Sequence, residues 1–229
     1  MTERGAVVTI DGPAGSGKSS TARAVAQSLG YRHLDSGALF RAVTLGLLRS
    51  GIPEEQWSEV SLEQLEEMRI QLVPSGTGFD VEMDGDIVDK ALRGPEVTQR
   101  VPKVARIPAV RDWLLRRQRA AAKGGGVVVD GRDTGSVVFP DASVKVFLTA
   151  GIEERARRRL LQDQEEGQEP PSMRAVRREA ERLAERDRQD ETREIAPLRR
   201  PEGAIEVDTT GLSFEEQVAR VVEAVRRWG

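Results

Sequence analysis

Residues Gly12-Pro13-Ala14-Gly15-Ser16-Gly17-Lys18-Ser19 follow the spacing G-x-x-x-x-G-K-[ST]. Each type has a chemical reason to be there. Glycines let successive backbone N–H groups converge on a phosphate, and the N-terminus of the helix that should follow adds positive potential. Lys18 is placed to reach the β- and γ-phosphates of a nucleotide, and the Ser19 hydroxyl to reach Mg²⁺. With 22 Gly and five Lys among 229 residues, a chance match anywhere in the chain is on the order of half a per cent. The stretch Gly12 to Ser20, with Ser20 just inside the helix, is therefore the expected polyphosphate cradle. No [NT]KxD guanine-reading run occurs and the chain has no Asn, so ATP is the expected nucleotide. Gly124-Gly125-Gly126 precedes an apolar run instead of following one and reads as a loop.

The rest of the chemistry falls to Arg, Asp and Ser. There is no Cys, and His33 is the single His, which excludes disulfides, thiolate metal sites and a Cys nucleophile, and leaves almost no room for two-His metal sites or a Ser-His-Asp triad. Of the 35 Lys and Arg residues only five are Lys. A GC-rich or heat-adapted genome accounts for most of that bias, so only arginines at special positions bear on function. Arg41 and Arg132 follow apolar runs, where ligands of open α/β sheets sit; spacing alone allows a phosphate clamp or a surface ion pair at each. Arg186, Asp190 and Arg193 fall at i, i+4 and i+7, which predicts one helix face, either a solvated stripe or a surface turned toward phosphates. Arg155, Arg158 and Arg159 lie in an Arg-dense run that reads equally as a solvated face or as contacts to ATP. Asp130, at a strand end, is placed to hold Mg²⁺-bound water together with Ser19. His33, inside a strand, is given no role. Net charge −3 and pI 5.5 argue against a nucleic-acid-coating protein.

The elements that must position these groups follow from patterning. Five short β-branched runs, at 6–10, 31–34, 127–129, 144–149 and 204–207, alternate with helical patterns at 19–29, 37–49 and 106–122, which predicts an α/β protein with a five-stranded parallel sheet flanked by helices. Ser213 and Glu216 form a capping box ahead of Val218, Val221, Val222 and Val225, so a last helix should pack on the sheet. Alternating residues around Asp84-Gly85 predict a small antiparallel insert. The charged stretch after Ile152, broken by Gly167 and Pro170-Pro171, predicts a mobile helical arm with a loop at its tip. The expected division is core 1–61, insert 62–105, core 106–151, arm 152–200 and core 201–229. No run approaches the ~20 apolar residues of a membrane span, and the first residues do not read as a signal peptide. A cytosolic monomer is expected.

Three further runs carry a resemblance that extends over nearly the whole chain. Leu34-Asp35-Ser36-Gly37-Ala38-Leu39-Phe40-Arg41, Asp130-Gly131-Arg132-Asp133-Thr134-Gly135 with Phe139-Pro140-Asp141-Ala142, and Arg186-Asp187-Arg188-Gln189-Asp190 with Arg193 and Ala196-Pro197-Leu198 resemble the signatures of bacterial cytidylate kinases, members of the P-loop nucleoside monophosphate kinases. The resemblance implies a P-loop NTPase fold in which the insert binds the acceptor and the arm is a helical lid. It implies transfer of the ATP γ-phosphoryl group to CMP or dCMP, with these small-molecule nucleotides as the partners. On that reading Lys18, Arg132, Arg186 and Arg193 are catalytic, the last two as arginine fingers in cis. Arg41 and Arg132 clamp the acceptor phosphate, Ser36 touches its phosphate or sugar, and Asp190 meets a ribose hydroxyl. Arg111 and Asp133 stand at the family's base-reading positions. That pair suits cytosine, which accepts at N3 and O2 and donates from N4, and opposes uracil, whose pattern is reversed at N3 and position 4. One departure is Pro102, where the family usually has Ser; a hydroxyl and an N–H are lost there. Lys103, water or backbone would have to substitute, or base selectivity loosens. The rivals are a kinase for UMP, dTMP or a small metabolite and, outside that class, a P-loop switch or nucleic-acid ATPase.

Overall fold

A computed structural model describes residues 5–162 and 169–228. The chain opens with β1 (Val7–Asp11), the glycine-rich loop and α1 (Lys18–Leu29), then β2 (Arg32–Asp35) and α2 (Ser36–Arg49). After α3 (Leu62–Glu67) come β3 (Ile70–Ser75), β4 (Gly78–Met83) and β5 (Asp86–Ile87), followed by α4 (Asp89–Leu92), α5 (Pro95–Val104) and α6 (Pro108–Ala121). β6 (Val127–Gly131) and β7 (Val144–Thr149) lead to the charged helices α7 (Ile152–Gln162) and α8 (Met173–Glu191). β8 (Ile205–Asp208) and α9 (Phe214–Trp228) complete the described chain. Much of the break expected between the two charged helices, including Gly167, lies outside the described residues.

All five expected core strands form and are parallel, in the order β2-β6-β1-β7-β8. The insert does not stand apart from them. β4 pairs in parallel with β2 at Gly78 and His33, so the antiparallel β3–β4 pair extends the same sheet. Asp84-Gly85 makes the expected turn, joining β4 to β5 with φ 53 and 89. The longer hairpin, however, turns at Gly76-Thr77. Much of the insert is helical, because Val97, Val101 and Val104 line one face of α5 and bury against α2.

The sheet divides the core. On one side α1 and α9 bury Ala22, Val25, Val221 and Val225 against Val8, Val128 and Val146. On the other, α2, α5 and α6 close over Leu39, Val43, Trp57 and Trp113. The α9 capping box forms as expected: Ser213 N donates to Glu216 Oε2 at 2.8 Å and Glu216 N to Ser213 Oγ at 3.2 Å. No described helix is long and apolar enough to cross a membrane.

Candidate active site

Ile10, Asp35 and Asp130 lie side by side in register near the C-terminal edge of β1, β2 and β6. The glycine-rich loop turns at this edge. A Cβ at Gly12 would lie 2.1 Å from the Leu148 carbonyl oxygen, and Gly17 caps α1 with φ 84, in the left-handed region that favours glycine. Lys18 Nζ bridges the loop to the Pro13 carbonyl at 3.1 Å. Burial pushes this ammonium from 10.5 down to about 7, aided by Arg132 and opposed by Asp130, Asp190 and Asp35. Burial outweighs the three carboxylates around it. Ser16 is buried, its Oγ without a hydrogen-bond partner among the described residues, and Ser20 is exposed on α1.

Beside the loop, Ser19 Oγ donates to Asp130 Oδ2 at 2.5 Å, and His33 Nε2 lies 2.7 Å from Asp130 Oδ1. Burial pushes the Asp130 carboxyl up, but His33, Ser19 and Lys18 outweigh it and hold the group below its usual range. Neighbouring Asp35 is pushed up, by burial first and then by Asp130, and its Oδ1 caps α2 by accepting from Ala38 N at 2.9 Å. A serine whose hydrogen goes to a buried carboxylate leaves its lone pairs for a hard cation, so the donor set suits Mg²⁺. His33, given no role by its strand position, thus anchors Asp130. Asp11 is the last residue of β1. Its Oδ1 accepts from Thr134 N and Oγ1, both at 2.8 Å, and its Oδ2 from Gly135 N at 2.7 Å, which pins the turn carrying Arg132 and Asp133. Burial raises it to about 6 against those bonds.

Across the same edge, Arg111 and Asp133 are brought into direct contact through Nη2 and Oδ2. Arg111 also donates to Ala105 O at 2.9 Å and lies 5.3 Å from the Phe40 ring centre. Burial raises Asp133, with Arg111 and Arg193 opposing. Arg132 Nε donates to Asp190 Oδ2 at 2.9 Å. Arg41 Nη1 donates to Thr98 Oγ1 at 2.8 Å and to Leu92 O at 3.2 Å. Burial, then the like charges of Arg186, Arg93 and Arg159, pull Arg41 down to about 10, only partly offset by Asp35. Arg93, which no spacing argument selects, belongs to this crowd. Ser36, at the start of α2, is buried against Gly131. Asp133 and Asp190 offset part of this positive charge.

One expectation is corrected. Arg186, Asp190 and Arg193 do not share one helix, because α8 ends at Glu191, where Thr192 N and Oγ1 both bond back to Arg188 O. The chain still returns Arg193 to the site: its Nη2 donates to Ala196 O at 2.6 Å and it lies 3.9 Å from both Asp133 and Asp190. Arg186 is 3.6 Å from Asp190, whose carboxyl is pushed up by burial but held low overall by Arg132, Arg186 and Arg193. The Nε atoms of Arg186 and Arg193 are buried with no hydrogen-bond partner among the described residues. Lys103 does not replace the group lost at Pro102, since its Nζ is taken by Glu54, at 2.9 Å from O and 3.2 Å from Oε1. Arg155 is buried and bonded to Asp187 and Ala14, Arg158 bonds Thr209, and Arg159 adds its charge beside Arg41.

None of these groups is arranged as a nucleophile to carry a covalent intermediate. Cations converge instead on both sides of one strand-to-helix bend, and this defines a phosphotransferase of the P-loop class. A family model described as cytidylate kinase matches residues 8–227. The cytidylate kinase of Geobacillus kaustophilus is 45% identical over 218 residues, 95% of each chain. That of Geobacter sulfurreducens is 43% identical over 224 residues, covering 97% of this chain and 94% of its own. The chain belongs to the cytidylate kinase family.

Proposed function

We propose that the protein transfers the γ-phosphoryl group of ATP to CMP or dCMP. ATP lies in the cradle Gly12 to Ser20, with Lys18 at its β- and γ-phosphates and Arg159 nearby. Ser19 directly and Asp130 through water would hold Mg²⁺, which when bound neutralises charge between the β- and γ-phosphates. The acceptor enters between the 62–105 insert and the 152–200 arm. Arg41 and Arg132 grip its phosphate, Ser36 its phosphate or sugar, and Asp190 a ribose hydroxyl. An oxygen of that phosphate bonds to the γ-phosphorus as the bond to the β-bridging oxygen breaks, and ADP leaves. Arg186 and Arg193 neutralise the moving group. The arm acts as a lid that excludes water and so suppresses idle hydrolysis. We read the protein as a cytosolic monomer.

The observation that carries this reading is the buried Arg111–Asp133 pair beside the phosphate-binding arginines. A donor and an acceptor fixed together match cytosine's edge. The test is a coupled ADP-release screen over CMP, dCMP, UMP and dTMP. Preference for the cytosine nucleotides is expected, and Asp133→Ala should cut the CMP-over-UMP ratio of kcat/KM by about 100-fold. Full selectivity in Asp133→Ala, or UMP as the best acceptor of the unmodified protein, would sink the assignment.

A further inference from the structure

We infer that Asp187 and Arg155 form a positioning strut that seats the arm on the crest of the phosphate cradle, so that Arg186 and the loop are held as one body. The inference rests on the phosphotransfer reading of the site. Asp187 follows Arg186 directly on α8 and is buried at 7% exposure. Its Oδ1 accepts from the Ala14 backbone N–H at 2.9 Å, and its Oδ2 accepts from Arg155 Nη1 at 2.5 Å. The same Nη1 donates to the Ala14 carbonyl at 2.9 Å, and Arg155 Nε donates to Ala150 O at 3.0 Å. A single ion pair thus takes both backbone polar groups of Ala14 and closes a ring through α7, α8 and the loop.

Packing fixes the same contact independently. The arm's apolar cluster of Ala156, Val176 and Leu183 includes Ala14 at its edge. A Cβ at Gly15 would lie 3.2 Å from Arg155 Cβ and 3.4 Å from Leu183 Cδ1. An ordinary ion pair between two helices would leave the cradle's main chain alone; this one is built around it. On this inference Arg155 acts by seating the arm, a role outside both the solvated face and the ATP contact that its Arg-dense run allowed. Because Asp187 neighbours Arg186 in the chain, displacing it from Ala14 shifts a phosphate-facing guanidinium and opens the site to water.

Asp187→Ala removes both acceptors, whereas Asp187→Asn keeps an oxygen for the Ala14 N–H. In Asp187→Ala, kcat for transfer should fall at least about tenfold with the ATP and CMP KM values within about threefold, and acceptor-free ATP hydrolysis should rise relative to transfer. Hydrogen exchange should speed up in the cradle and α8 while α9 stays protected. Asp187→Asn, which keeps the bond from Ala14 but turns an NH2 toward Arg155, should recover only part of kcat, and Arg155→Ala should behave like Asp187→Ala. An unchanged kcat, an effect confined to the ATP KM, or loss of protection throughout both Asp187 variants would overturn the strut. Exchange is read without turnover, so a protein that phosphorylates no monophosphate would refute the proposed reaction and still leave the strut to be decided.

Discussion

Lys18 is the residue whose chemistry is least free to vary. Buried and pulled down to about 7, it is charged below that pH with or without ligand. Between about 7 and its ordinary value it is neutral in the free protein and charged beside phosphates. Nucleotide binding in that window therefore takes up a proton, and affinity falls as pH rises. Calorimetry of ADP binding at about pH 8.5, in buffers of different ionisation enthalpy, should show uptake approaching one proton, and Lys18→Met should abolish it. Without ligand the sign for stability is opposite in sense: the unfolded chain binds the extra proton over the same window, so this group's contribution to stability rises with pH. Asp11 gives a second residue-level prediction. Asp11→Asn puts an amide where three donors now converge on two oxygens, so the protein should lose about 2–3 kcal/mol in urea unfolding. The P-loop was readable at this scale because its residue types are fixed by local phosphate chemistry. His33 was not, since its role depends on Asp130, which is distant in sequence and adjacent only through the β2–β6 register.

Elements were readable where one face is apolar. The α9 capping box and valine stripe predicted that helix and its burial. Ser213→Ala should cost about 1 kcal/mol, seen as a drop of about 2–4 °C in the melting temperature, with the KM for CMP unchanged. No change in melting temperature would show that the exposed cap adds nothing. Charged helices are harder to read. In α8, spacing correctly placed Arg186 and Asp190 together but ran the helix on to Arg193, because periodicity does not register the Thr192 hydroxyl bonding back to Arg188 O. Asp187, in the same run, has no spacing that marks it out; only packing brings it to the Ala14 amide. The insert's α5 was overlooked for the complementary reason: its stripe of Val97, Val101 and Val104 sits in a segment dominated by hairpin signals.

The whole molecule is acidic, at net −3, while its ligands are anions. Binding must therefore be driven by the local field of the crowded arginines, and such a field is screened by salt once charges are more than about 10 Å apart. The kcat/KM for CMP should fall severalfold between about 50 and 500 mM NaCl, and Arg41→Met should flatten that dependence. Independence from salt would mean that desolvated contacts, and not long-range attraction, limit capture. The same scale explains why the insert joins the core sheet. Pairing β4 with β2 carries α4 and α5 to the edge where Arg41 reaches Leu92 and Thr98.

By itself the sequence determined the glycine-rich loop, its place after a strand and the parallel core. All of these depend on short-range geometry: a tight turn, a two- or 3.6-residue repeat, a charge within a few positions. Tertiary structure alone decided which charges among the many arginines and acids are buried against one another. Whether Asp187 meets water or the Ala14 amide, whether Lys103 faces a base or Glu54, and whether His33 has a partner all depend on residues far apart in the chain. The low-dielectric interior, which strengthens the attraction within such pairs against the cost of desolvating them, exists only after the chain has closed around them.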